Sequence, residues 1–135
     1  YTISVDLDRV GIDGEINVSN EEKAKRVKTL LETVQYLYRD IRGRRENLSP
    51  LFIIGGNYER KNPFFENIVK IDNNMINVNA LAEMKESNED LEKSTIVGVT
   101  SGIFNNDSQI KEKLGAVTIA EAFGEFKKKV DEYYA

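Results

Sequence analysis

Apolar and polar positions alternate strictly at the start of the chain. Tyr1, Ile3, Val5 and Leu7 fall on one face and Thr2, Ser4, Asp6 and Asp8 on the other, the period of two that predicts a half-buried strand. Gly11 and Gly14 bring turn chemistry and end it near Ile12. The pattern then changes to three- and four-residue steps. Ala24, Val27, Leu31, Val34, Tyr38 and Ile41 form an apolar stripe that Leu30 and Leu37 widen. Ser19 followed by Glu22 supplies a capping box at its start, and Gly43 stands where a C′ glycine ends a helix. The spacing therefore predicts an amphipathic helix of about six turns, from the Ser19 cap to Gly43.

After Pro50, the run Leu51, Phe52, Ile53 and Ile54 is apolar on both faces, as a central strand requires. Gly55 and Gly56 then permit a bulge or a close backbone approach, and Asn62-Pro63 marks a turn. Residues Phe65 to Ile71 and Met75 to Val78 predict a hairpin around Asp72-Asn73-Asn74. Asn79 stands where it would cap an acidic helix running to about Glu92. Ser94 to Phe104 predicts a further strand, interrupted by Gly98 and Gly102. Thr118 and Glu121 form a second capping box, ahead of a closing helix that buries Ile119, Phe123, Phe126, Val130 and Tyr133 and leaves Lys127 and Lys128 outside.

The order strand, helix, strand, hairpin, helix, strand, with one or two closing helices, is the split βαβ plan of ferredoxin-like and RNA-recognition-motif-like folds. The expectation is one α+β domain over residues 1–135, an antiparallel sheet with helices packed on one face. A length of 135 residues suffices for one such core. No apolar run approaches the roughly 20 residues that cross a bilayer. Because a strand pattern opens at Tyr1 with no lead-in, the chain reads as part of a longer protein.

Charge changes the picture. The net value of -4 hides an asymmetry: Lys23, Lys25, Arg26, Lys28, Arg39, Arg42, Arg44 and Arg45 face only Glu32 and Asp40 between residues 23 and 45. That segment carries +6 and the rest of the chain -10. A basic segment on an acidic body suits a polyanion, although a solvated helix face whose last basic residues complement the macrodipole would look the same.

The chain has no cysteine and no histidine, which removes disulfides, thiolate chemistry, the usual general base and the commonest metal ligand. Asp6 and Asp8, about 7 Å apart on one strand face, could share a metal. Equally, they are the polar half of that strand. Asp72-Asn73-Asn74 lacks the spacing of a calcium loop, the glycine pairs lack the lysine and helix onset of a phosphate-binding fingerprint, and Ser101 has no base partner of the usual kind. Arg39 to Leu51 (RDIRGRRENLSPL) is more informative. Arg42, Arg44 and Arg45 bracket Gly43, and arginine forks match phosphate geometry. Tyr58, Phe64 and Phe65, near Arg60 and Lys61, are aromatics that either stack on bases or fill the core.

YTISVDLDRVG, then KRVKTLLETVQYLYRDIRGRRENLSPLFIIGG with its following KNPFFEN, and later GVTSGIF, together resemble the DevR-type CRISPR autoregulator family. The resemblance spans most of the chain. It implies a non-enzymatic backbone subunit of a type I Cascade surveillance complex, with an RNA-recognition-motif-like palm and head-to-tail copies along a CRISPR guide RNA. The partners it implies are that guide RNA, other copies of the chain, other Cascade subunits and target DNA through the guide, with no cofactor, in the cytoplasm. In such an assembly the protein grips backbone and shape while base pairing reads sequence. Family members carry further sequence before the DLDRVG strand, so the chain is expected to be a fragment of the family's full length. The family match carries RNA contact to Arg9, to Arg42, Arg44 and Arg45, and to Ser101, with Lys25 and Arg26 as helix-face candidates. Each has a structural alternative, such as Arg9 pairing with Asp8 or Asp6 and Arg44 with Glu46. A second function is a metal-dependent ribonuclease on the same fold using Asp6 and Asp8. A third takes the autoregulator name literally, but no DNA-reading helix stands in its expected context.

Overall fold

The computed structural model describes residues 1–135, and in it the opening alternation does not become a strand. Residues 1–6 form no secondary structure, and Tyr1, Ile3 and Val5 are exposed. Asp6 diverts the chain. Its C=O accepts from the Arg9 N–H at 3.0 Å and its Oδ1 accepts from the Asp8 N–H at 3.2 Å, local bonds that compete with a strand ladder. A two-residue hairpin follows, Ile12–Asp13 (β1) against Ile16–Asn17 (β2). Gly11 precedes it at φ +73°, where a Cβ would lie 2.3 Å from Val18 Cγ2; both the left-handed backbone and the lack of space call for glycine.

Helix α1, Asn20–Gln35, starts where the capping box places it. Ser19 Oγ accepts from the Glu22 N–H at 3.2 Å, although the Glu22 carboxylate turns to Arg26 at 3.0 Å instead of closing the box. Ala24 and Val27 are buried with Val130 and Tyr134, and Leu7, Val10 and Leu31 pack around them.

The helix stops at Tyr36, well short of Gly43. Tyr38–Ile41 (β3) and Arg44–Asn47 (β4) instead form an antiparallel hairpin. Arg42 and Gly43 occupy its turn at φ 51° and 76°, the left-handed pair that a two-residue turn of the primed type requires. Tyr38 and Ile41, apolar in a helical stripe, serve as well in a strand, where aromatic and β-branched residues are favoured. The expected helix to Gly43 is therefore corrected, and with it the macrodipole account of the arginines: no basic residue lies in the last turn of α1.

Beyond Pro50 come β5 (Phe52–Gly55), the hairpin β6 (Ile71–Asp72) and β7 (Met75–Ile76), helices α2 (Val78–Lys85) and α3 (Glu89–Ser94), β8 (Ile96–Val99), α4 (Asp107–Leu114) and α5 (Ile119–Tyr134). The expected hairpin turns at the expected place, with Asn73 and Asn74 at φ 49° and 56°, but its arms are two residues long. The acidic helix is broken in two: Asn77, not Asn79, holds the N-cap position of α2, and Asn88 restarts the chain as α3 by accepting from the Leu91 N–H at 2.9 Å. The last strand ends at Val99, and Gly102 (φ 82°) lies in the turn beyond it. At the end of α5 the buried tyrosine is Tyr134, whose hydroxyl donates to the Leu7 C=O at 2.6 Å, and not the expected Tyr133, which is exposed.

The result is an α+β chain with five helices and small antiparallel sheets, four pairs in place of the one expected sheet. It packs as two compact units, Tyr1–Ser4 with Leu51–Ala122, and Val5–Pro50 with Phe123–Ala135. In the first, β5 pairs with β8 from Phe52↔Val99 to Gly55↔Ile96, and every β8 residue is buried. Val117 bridges the far side of β8, its N–H donating to the Val97 C=O and its C=O accepting from the Val99 N–H, both at 2.9 Å. One sheet face meets a core containing Leu81, Leu91, Ile110 and Leu114. On the other lies the first turn of α5: a Cβ on Gly98 would fall 2.7 Å from Ala122 Cβ and 3.1 Å from Ile53 Cγ2.

Gly98→Ala should therefore lower unfolding stability by about 1–3 kcal/mol through overpacking. Gly124→Ala, with nothing within 4 Å of the added methyl, should raise it by about 0.5–1 kcal/mol. Urea denaturation of the two variants beside the parent chain measures both.

Candidate nucleic-acid interface

The β3–β4 hairpin gathers four arginines, and its register decides which of them are available. Arg39 stands opposite Glu46, and Asp40 opposite Arg45. Both pairs close as ion pairs, Arg39 Nε to Glu46 Oε2 at 2.5 Å and Arg45 Nε to Asp40 Oδ1 at 3.3 Å. Alternation puts Tyr38, Asp40, Arg45 and Asn47 on one face and Arg39, Ile41, Arg44 and Glu46 on the other. On the first face the Arg45 guanidinium also lies 4.0 Å from the centre of the Tyr38 ring, a cation–π contact worth about 0.5–1 kcal/mol at an exposed site.

Arg42 and Arg44 have no such partners. Arg42 is in the turn and Arg44 is opposite Ile41, both exposed, and neither forms an ion pair. With Ile41 and Glu46 they line an open cleft of about 350 Å³. Of the three arginines that the sequence singles out here, two are thus free forks and the third, Arg45, is partly neutralised. The expected Arg44–Glu46 pair is replaced by Arg39–Glu46.

The other candidates are dispersed. Arg9 is exposed, and its bond to Asp6 is between backbone groups. Lys25 is exposed on α1, and Arg26 is tied to Glu22. Ser101 belongs to the Leu51–Ala122 unit, where its Oγ accepts from Lys111 Nζ at 2.8 Å; Lys111 in turn pairs with Asp107 at 3.1 Å. Asp6 and Asp8 do not share a strand face, because that strand is absent. Asp8 Oδ1 accepts from the Tyr133 hydroxyl, and the chain holds no cluster of three or more carboxylates suited to a metal ion.

For the aromatics the structure decides for the core alternative. Phe65 is buried, and Phe64 and Tyr58 pack against the same core, their rings edge to face at 5.3 Å. They are not a stacking platform. Exposed rings occur instead at Tyr36 (64% exposed) and Tyr38 (51%), beside the arginines. A signal for both was present in the sequence. In RDIRGRRE the charges mirror one another about Arg42-Gly43, acid opposite base at two successive positions, which is the cross-strand pattern of a hairpin.

Protein-family models, curated proteins and solved structures were all compared with the chain, and none matches it.

Tyr58 provides a pH test of its burial. Burial, opposed by the hydrogen bond to Thr95 Oγ1 at 2.8 Å and aided by the Asp90 carboxylate, pushes its phenol up from 10.0 to about 12. The folded chain holds the Tyr58 proton through a range in which the unfolded chain releases it. The contribution is complete below pH 10 and is lost as pH rises toward 12. Unfolding midpoints in urea should fall over that interval, and the fall should be shallower in Tyr58→Phe.

Proposed function

We propose that the chain is a non-enzymatic, CRISPR-RNA-binding backbone subunit of a type I Cascade complex that grips single-stranded RNA through the β3–β4 hairpin. The observation that carries this reading is the pair of exposed, unpaired guanidiniums at Arg42 and Arg44; exposed rings at Tyr36 and Tyr38 lie elsewhere on the same segment. Guanidinium forks bind phosphate oxygens in pairs of parallel hydrogen bonds, while aromatic faces accept any base. That combination recognises a strand by charge and stacking, so the guide's sequence is left to base pairing. Resemblance to the DevR-type family supplies the identity of the RNA and the remaining partners: further copies of the chain, other Cascade subunits and target DNA through the guide, in the cytoplasm. The ferredoxin-like or RNA-recognition-motif-like palm belongs to the same proposal. Its support is the α+β order and the antiparallel β5–β8 pair. Lys25 and Arg9, in the same unit as the hairpin, are proposed as further phosphate contacts, and Ser101, in the Leu51–Ala122 unit, as a separate hydrogen-bonding group.

Fluorescence anisotropy with two unrelated single-stranded RNAs tests this. The double variant Arg42→Glu/Arg44→Glu should weaken both complexes alike, by tenfold or more, and should reduce the slope of log K against log salt by about 1.4, the loss of two phosphate contacts on a single strand. Arg39→Gln, whose charge Glu46 already offsets, should change affinity far less. Unchanged affinity in the double variant would overturn the assignment. Tyr38→Ala should cost about 1–3 kcal/mol if one base stacks there, read from the same titration.

A further inference from the structure

Lys23 is the one charged residue that the fold buries, at 8% exposure. Buried lysines are ordinarily paired, yet the Lys23 side chain forms no ion pair and no hydrogen bond. The carboxylate next to it in the chain, Glu22, is turned to Arg26 instead. Position makes matters worse. The Lys23 N–H closes the first turn of α1 onto the Ser19 C=O at 3.0 Å, so its charge lies near the positive end of the helix dipole, where cations are disfavoured.

The surrounding chain nevertheless accommodates it. A Cβ on Gly11 would fall 3.2 Å from Lys23 Cγ, so the missing side chain at residue 11 lets the lysine stem pack against the loop before β1. The ammonium still reaches solvent. A residue that breaks local rules without a compensating contact points to binding and not to the fold. Burial here supplies a fixed charge: an exposed lysine loses its rotamer freedom on binding, whereas Lys23 has lost it on folding. An ammonium has three donors and no acceptor, so its partner is an anion. Arg9 stands two residues before Gly11 in the same loop, exposed and without an ion pair.

We propose that the Lys23 ammonium is a preformed contact for a phosphodiester of single-stranded RNA, set in place by Gly11. This rests on the RNA reading above, but on residues separate from the hairpin.

Anisotropy titrations with the same two RNAs, paired with urea denaturation, are the test. Lys23→Met keeps an unbranched apolar stem and removes the charge. It should weaken both complexes by about tenfold and reduce the slope of log K against log salt by about 0.7. Its urea midpoint should rise, because the partnerless charge is gone. Lys23→Gln should lose the same slope. Lys28→Met, on the same helix but already offset by Asp131 at 2.7 Å, should leave affinity nearly unchanged. Unaltered affinity and slope in both Lys23 variants, beside weakened binding in Arg42→Glu/Arg44→Glu, would overturn this proposal and leave the hairpin reading standing. The reverse pattern would support Lys23 and remove the hairpin. A lower urea midpoint in Lys23→Met would also count against the proposal, since the lysine would then serve the fold. A parent chain that binds neither RNA would end both readings.

Discussion

The absence of a side chain at Gly98 sets how closely the first turn of α5 lies on the β5–β8 pair. At that separation both sheet faces are covered, one by Ile119 and Ala122 and the other by the core around Leu81, Leu91, Ile110 and Leu114. Coverage on both faces explains why Ile96, Val97, Gly98 and Val99 are all buried, and why the strand reads as a continuous apolar run without alternation. With β5 beside it and Val117 bridging its far side, β8 becomes the centre of its unit. Its neighbour β5 is left as the edge. A single methyl at residue 98 would therefore disturb several layers at once.

The hairpin is governed by another constraint, cross-strand register. Exposed ion pairs contribute only about 0–1 kcal/mol each, so Arg39–Glu46 and Arg45–Asp40 do little to hold the fold. Their consequence is selective: two arginines are occupied, while the turn residue Arg42 and its neighbour Arg44 are left available. The +6 of residues 23–45 overstates what a polyanion would meet, since Arg26 is likewise paired with Glu22 and Lys28 with Asp131. The usable charge is smaller and more localised than the count.

Local chemistry creates the backbone conformation of both exposed segments. Arg42-Gly43 in the left-handed region turns the arginines into a hairpin, and the Asp6 bonds to Asp8 and Arg9 keep residues 7–11 out of a strand. A chain without histidine or cysteine has few routes to catalysis.

Much of this was legible in the sequence because it depends on neighbours a few residues apart. Caps at Ser19 and Thr118, the Asn73-Asn74 turn and most of the buried face of α5 follow from local hydrogen bonding and periodicity; the apolar run 51–54 is a strand as expected, but a half-buried edge and not the central strand its pattern predicts. The α+β class followed too. Three features were missed or left open by that reasoning, each for a physical reason. Tyr38 and Ile41 satisfy a helical stripe and a strand equally well, and only pairing with Arg44–Asn47 decides between them. Tyr58, Phe64 and Phe65 could by sequence fill the core or stack on bases, and packing with the α2–α3–β8 core decides for the first. Period two over residues 1–6 defines a strand that can pair, but a strand needs a partner with free hydrogen-bonding groups. Local pattern thus determined which segments could be helix, turn or strand, while long-range packing determined which arginines and rings stay exposed. Side-chain availability depends on what the rest of the chain brings alongside, and no short window of sequence contains that.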